Sequence, residues 1–177
     1  MLKTLLPLLS LSLCAVAQEN SFSGAIKFEY NLAKSDIVRA AEKMPEEDYA
    51  FQPTPDIRTF AQLVGHVADA QMMFCSTAAG EKNPATGSVE KTKSAKADLV
   101  AALKDAFAYC DKIYGATTDA NGMTAVKFFG QNTNRLGLMA FNNMHDFEHY
   151  GNMVTYMRLK SIVPPSSEPR QAPPSSK

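Results

Sequence analysis

The 177-residue chain has no tryptophan, three cysteines and three histidines. It has no surplus charge either: 18 Lys and Arg balance 18 Asp and Glu, for a formal net charge of zero. A chain without basic excess offers no electrostatic footprint for a nucleic-acid backbone. No basic amphipathic helix marks it for a membrane surface. With 9 Gly and 10 Pro it is neither fibrous nor disordered throughout. No apolar run is long enough to span a bilayer, Leu5 to Leu13 included. What remains is a single domain, long enough to bury one core.

Residues 1–17 read as an address. Lys3 gives a positive start, Leu5 to Leu13 an apolar stretch, and Ala15-Val16-Ala17 a small-x-small cleavage pattern before Gln18. This predicts a signal peptide cleaved after Ala17 and an exported protein, periplasmic or secreted. The run Leu11-Ser12-Leu13-Cys14 also looks like a lipid-attachment box, but Leu13 is bulky where such a box wants a small residue. The folded domain is expected over 18–163. Residues 164–177, rich in Pro and Ser, cannot bury a core and are expected to form a disordered tail.

Four segments carry apolar residues at helical spacing. They are Ala25 to Met44 (Ile26, Tyr30, Ala33, Ile37, Ala40), Thr59 to Ala79 (Phe60, Leu63, Val67, Ala70, Phe74), Ala95 to Tyr114 (Leu99, Leu103, Phe107, Cys110) and Arg135 to Lys160 (Leu138, Phe141, His145, His149, Tyr156). Ser21 or Ser23, Ser94, and Thr133 or Asn134 are the candidate caps, and Gly80 and Gly115 the candidate stops. Between the last two segments, Met123 to Phe129 is apolar enough to pack down as a loop or a short strand. The pattern predicts an all-α four-helix bundle.

All three histidines fall mid-helix on inward-facing stripes: His66 on the second segment, His145 and His149 on the fourth. A pair four residues apart puts both rings on one helix face, with Cβ atoms about 5–6 Å apart. That spacing suits two imidazoles on one divalent ion, and His66 can complete the set. Three imidazoles buried without a partner would cost about 1–3 kcal/mol each. His145-Asp146-Phe147-Glu148-His149 also matches the inverted zinc-protease pattern. That pattern wants a third ligand downstream, where only the helix end and the tail follow. Three protein ligands leave a coordination position open, the layout of a catalytic rather than a structural site. Asp69, one turn beyond His66, is the candidate base or orienting acid. Three imidazoles accept Zn, Ni, Fe, Mn or Cu.

Two stretches carry a resemblance. The first runs from Ala41-Glu42-Lys43-Met44-Pro45 through Arg58-Thr59-Phe60-Ala61-Gln62-Leu63-Val64-Gly65-His66-Val67-Ala68-Asp69. The second is Asn143-Met144-His145-Asp146-Phe147-Glu148-His149-Tyr150-Gly151. Together they resemble the DinB-like (DinB/YfiT) family of metalloenzymes, over roughly residues 22 to 165. The resemblance implies an up-down-down-up four-helix bundle with one divalent metal on His66, His145 and His149. Some members of that family are thiol-dependent transferases or isomerases. The expected function is metal-dependent hydrolysis or group transfer on a small molecule. The alternative is a non-catalytic, stress-related metal-binding module. No nucleic acid or membrane partner is expected, and a homodimer is an allowed assembly.

Cleavage after Ala17 leaves Cys75 and Cys110, each four residues before the expected end of its helix. In parallel helices they lie at one level, where an exported protein can bridge them. In antiparallel helices they lie about 18 Å apart along the axis, too far for a bond. The implied down-down course goes with the bridge. The alternative is two buried thiols.

Overall fold

A computed structural model describes residues 21–169. The leader, its cleavage site after Ala17, Cys14 and residues 170–177 lie outside the described residues.

The described chain is mostly helical, and its four long helices match the four periodic segments. They are α1 (Phe22–Lys43), α2 (Phe60–Ala79), α4 (Lys96–Ala116) and α6 (Arg135–Leu159). Two short helices, α3 (Val89–Thr92) and α5 (Asp119–Gly122), lie in the connections. The Ser21 hydroxyl accepts from Gly24 N at 2.9 Å and starts α1. Thr59 and Gln62 form a reciprocal capping box ahead of α2, and Gly80, at φ 74°, ends that helix in the left-handed region. Asn134 caps α6 by accepting from Gly137 N at 2.8 Å. At α4 the expectation is corrected. Ala95, not Ser94, precedes the first turn and supplies no side-chain cap. Glu46 takes over from outside the helix by accepting from Lys96 N at 3.2 Å. Gly115 does not stop α4, which runs one residue further.

Cross-links fix the course of the helices. Tyr156 donates to the Arg58 carbonyl at the start of α2, and Arg135 Nε donates to the Ala78 carbonyl near its end, at 2.8 Å. α2 and α6 therefore run antiparallel. α2 and α4 both start beside one turn, where Ala61 N donates to the Tyr49 carbonyl at 2.8 Å and Lys96 N to Glu46. They meet again near their far ends at a disulfide, Cys75–Cys110, with Cα atoms 5.4 Å apart. They run side by side in the same direction. Tyr30 of α1 stacks on Tyr114 of α4 with centroids 3.8 Å apart, and its hydroxyl donates to the Phe107 carbonyl at 3.0 Å. Lys104 pairs with Glu42 at the other end of α1, so α1 and α4 are antiparallel. Among the described residues no helix is long and apolar enough to cross a membrane.

Two features depart from the expected elements. Pro164 to Pro169, read from composition as the start of the tail, is docked. Pro165 is buried, Ser166 and Tyr150 share hydrogen bonds at 2.8–2.9 Å, and Glu168 pairs with Arg39 and Lys43 of α1. Proline rigidity lowers the entropy such a segment must lose, so a few contacts hold it. The connection before α6 carries a hairpin of β1 (Ala125–Phe128) and β2 (Gln131–Asn134), with Phe128 opposite Gln131. β2 is polar and short, so its strand signal is weak. Its two-residue turn is Phe129-Gly130, at φ 48° and 77°. Two positive values suit Asn-Gly, and Phe is strained there. Phe129 is also 74% exposed, so burial does little to offset the strain. Phe129→Asn is expected to stabilise the protein by about 0.5–1 kcal/mol. A thermal midpoint unchanged or lowered relative to the parent would refute this.

Candidate metal centre

The antiparallel pair α2 and α6 sets the height at which the histidines meet. Gln71 and Asn142 exchange amide hydrogen bonds at 3.1 and 3.0 Å, with both side chains buried. Asn142 also donates to the Tyr114 hydroxyl at 3.1 Å, and Gln71 to Asp146 at 2.6 Å. An amide pair inside an apolar interface tolerates no slip, because one turn of displacement would strand four polar groups. About one turn toward the N-terminus of α2 from Gln71, and toward the C-terminus of α6 from Asn142, the three rings converge. His66 Nε2 lies 3.2 Å from His145 Nε2, which lies 3.0 Å from His149 Nε2. The three candidate ligand atoms are all within 4.8 Å of one another, and no other acid, cysteine or histidine joins the group among the described residues.

Burial, and then local charge, favour unprotonated rings. Burial, then the neighbouring histidines, then Arg58 hold His145 down to about 4 from an ordinary 6.5. Burial, His66 and Arg58 do the same for His149. Burial and Arg58 lower His66 against the opposing pull of Glu90. Neutral imidazole is the form that binds a metal.

The surroundings fit an ion. Glu90 Oε2 lies 3.3 Å from His66 Nδ1, a carboxylate–histidine arrangement that turns Nε2 toward the centre. The Asn152 amide lies 3.4 Å from His149 Nδ1. Turned to present its oxygen, it accepts from Nδ1–H and frees the inward nitrogen. Phe74 packs edge-on against His145, with centroids 5.1 Å apart, and walls the centre on the hairpin side. His145 Nδ1 is buried without a partner. The sequence of the chain matches the DinB superfamily pattern over residues 29–153.

The chain belongs to the DinB superfamily. Solved structures agree on the fold. A DinB-like protein from Bacillus cereus superposes with a TM-score of 0.69 at 15% identity, covering 79% of this chain and 93% of that one. A DinB-like protein from Bacillus subtilis gives 0.67 at 18% identity, covering 83% and 99%. At these identities the likeness is one of fold. No curated protein sequence matches the chain.

Of the sequence-derived candidates, this DinB-superfamily fold gathers His66, His145 and His149 and leaves Asp69 out. Asp69 accepts from Ser88 Oγ at 2.6 Å, Val89 N at 2.7 Å and Glu90 N at 3.2 Å. Its carboxylate is spent on the first turn of α3, where orphan N–H groups and the helix dipole attract it. The assignment of Asp69 as base or orienting acid is therefore corrected: the acid at the histidines is Glu90, which Asp69 helps to hold. Twenty-four residues separate Glu90 from His66, too far for helical spacing to reveal the pair.

The signal that does exist is Gly65. A Cβ there would lie 2.6 Å from Glu90 Cα and 2.8 Å from Glu90 N. Only glycine lets α3 lie directly on α2 beside His66. Gly65→Ala is expected to push Val89 and Glu90 outward, costing about 1–3 kcal/mol of stability and weakening metal binding about 10–100-fold. Thermal unfolding and a zinc titration read the two effects, and wild-type zinc affinity in a folded variant would contradict the role given to Glu90.

Asp146, beside His145, faces the other way. It is wholly buried, one carboxylate oxygen has no partner, and burial raises its pKa well above the usual carboxylate range. It belongs to the amide layer that sets the register.

Proposed function

We propose that this DinB-superfamily chain is an exported, metal-dependent enzyme of hydrolase or transferase type. His66, His145 and His149 would hold one divalent ion. One observation carries the reading. Three neutral imidazole nitrogens converge on a point with no fourth protein donor among the described residues, beside an open cavity of about 720 Å³ that His149 lines. A closed four-ligand site would serve structure, whereas a three-ligand site leaves room for a substrate atom.

The up-down-down-up bundle course is supported by the cross-links between helix ends. Export is supported by the leader-like residues 1–17 and by a disulfide, which persists in oxidising compartments. A divalent ion held here would polarise a carbonyl or acidify a water or thiol. The chain's own residues do the rest. Glu90 and Asn152 orient two imidazoles, the Gln71–Asn142 pair holds both helices in register, and Phe74 keeps water from one side of His145.

The test is metal analysis of untagged protein after dialysis against a mixture of zinc, nickel, iron and manganese. About one ion per chain is expected. None should remain in His145→Ala, and the full amount should remain in the distant surface variant Lys104→Ala. Equal metal content in all three proteins would remove the proposal. Turnover of esters, amides or thiol conjugates by the loaded protein then decides between an enzyme and a metal-binding module.

A further inference from the structure

The cavity beside His149 contains a cation that an ion-holding site does not need. Arg58 lies just ahead of the α2 cap, with its carbonyl held by Tyr156. Its Nε donates to Glu90 Oε1 at 2.9 Å, while the other oxygen of Glu90 lies 3.3 Å from His66 Nδ1. One carboxylate thus spans the guanidinium and a candidate metal ligand. The two terminal nitrogens of Arg58 donate no hydrogen bond among the described residues, and the residue is exposed to the cavity. A fixed positive charge this close repels a divalent ion. Its placement makes chemical sense when an anion lies between the two positive centres.

The lining indicates which anion. Among the described residues Arg58 is the only permanently cationic side chain of the lining, against Asp56, Glu90 and Glu148. Glu90 is already paired, but Asp56 and Glu148 leave the mouth acidic. A doubly charged phosphate would meet about twice the repulsion from these acids that a singly charged anion meets. A singly charged carboxylate needs one planar fork, and a guanidinium supplies two parallel N–H donors for it. Gln62 and Asn152, neutral and exposed along the same wall, can serve uncharged polar groups of the same molecule.

We infer that Arg58 is the substrate-recognition residue of this site, and that the substrate is a small molecule bearing a carboxylate bound between Arg58 and the three-histidine centre. This inference rests on the metal-centre reading and names its substrate class.

The experiment uses the untagged mature chain with measured zinc content, titrated calorimetrically with N-acetylglycine, with its uncharged amide and with inorganic phosphate. N-acetylglycine is expected to bind best. Arg58→Gln should weaken it at least about tenfold at unchanged zinc content and leave the amide unaffected. Arg58→Lys, which keeps the charge but loses the fork, should fall between the two. In the metal-free protein, the Arg58 Nε–H resonance should shift with N-acetylglycine and not with the amide. Equal affinity of wild type and Arg58→Gln for the carboxylate would overturn the inference, as would preference for phosphate or no binding of N-acetylglycine at millimolar concentration. If the protein takes up no zinc, the metal reading fails by itself, and the resonance shift still reports on Arg58.

Discussion

Replacing Cys75 and Cys110 together by serine is expected to lower stability by about 4 kcal/mol. The bridge joins residues 35 apart in sequence. In the chain-entropy model, closing a loop of that size removes about 13 cal/mol/K from the unfolded ensemble. For a domain of this length the loss corresponds to a fall of roughly 10 °C in the thermal midpoint. The native contacts around the bridge add to the effect, because both cysteines are buried in the α2–α4 interface. Urea unfolding of oxidised, reduced and double-serine protein measures it. The reduced and serine forms should agree with each other and fall below the oxidised form. A difference under about 1 kcal/mol would mean that α2 and α4 hold together without the bond.

Saturating zinc is expected to stabilise the wild-type protein by about 4 kcal/mol at a thousandfold excess over its dissociation constant. His145→Ala should gain nothing. The same histidines set a pH dependence in metal-free protein. His145 and His149 are held down to about 4 in the fold, whereas the unfolded chain protonates them near 6.5. Above 6.5 neither state binds the protons, and the groups contribute no slope. As pH falls from 6.5 toward 4, the unfolded chain takes up protons that the fold refuses, so stability declines. Protons compete with the ion over the same range, and release begins near pH 6. Thermal midpoints in chelator at pH 7, 6 and 5 should fall more steeply for wild type than for His145→Ala/His149→Ala. Parallel lines would remove the histidines as the titrating groups.

The four helices and the histidine trio were legible because helical periodicity is written in residues three and four apart. His145 and His149 announce each other, and His66 shares a stripe with Leu63 and Ala70. The residues that orient the trio were not legible. Glu90 reaches His66 across a turn that only the absence of a side chain at Gly65 permits, and no periodic pattern records that approach. Asp69 was misplaced for the same reason. Its position on α2 is right for the centre, but three donors at the start of α3 draw its carboxylate away. The first hairpin strand, Ala125–Phe128, lies inside the Met123 to Phe129 stretch read as a loop or a short strand, whereas its partner escaped because Gln131 to Asn134 is polar throughout. The Pro164–Pro169 segment escaped because composition cannot foresee that Glu168 finds two cations on α1.

The connector between α2 and α4 carries the acid that steers His66, and it does so on a backbone that merely has to bridge two parallel rods. Shortening or swapping that span in a chimera would strip away the steering group together with the chain it rides on. In this scaffold the route of a loop and the orientation of a candidate metal ligand are one and the same variable.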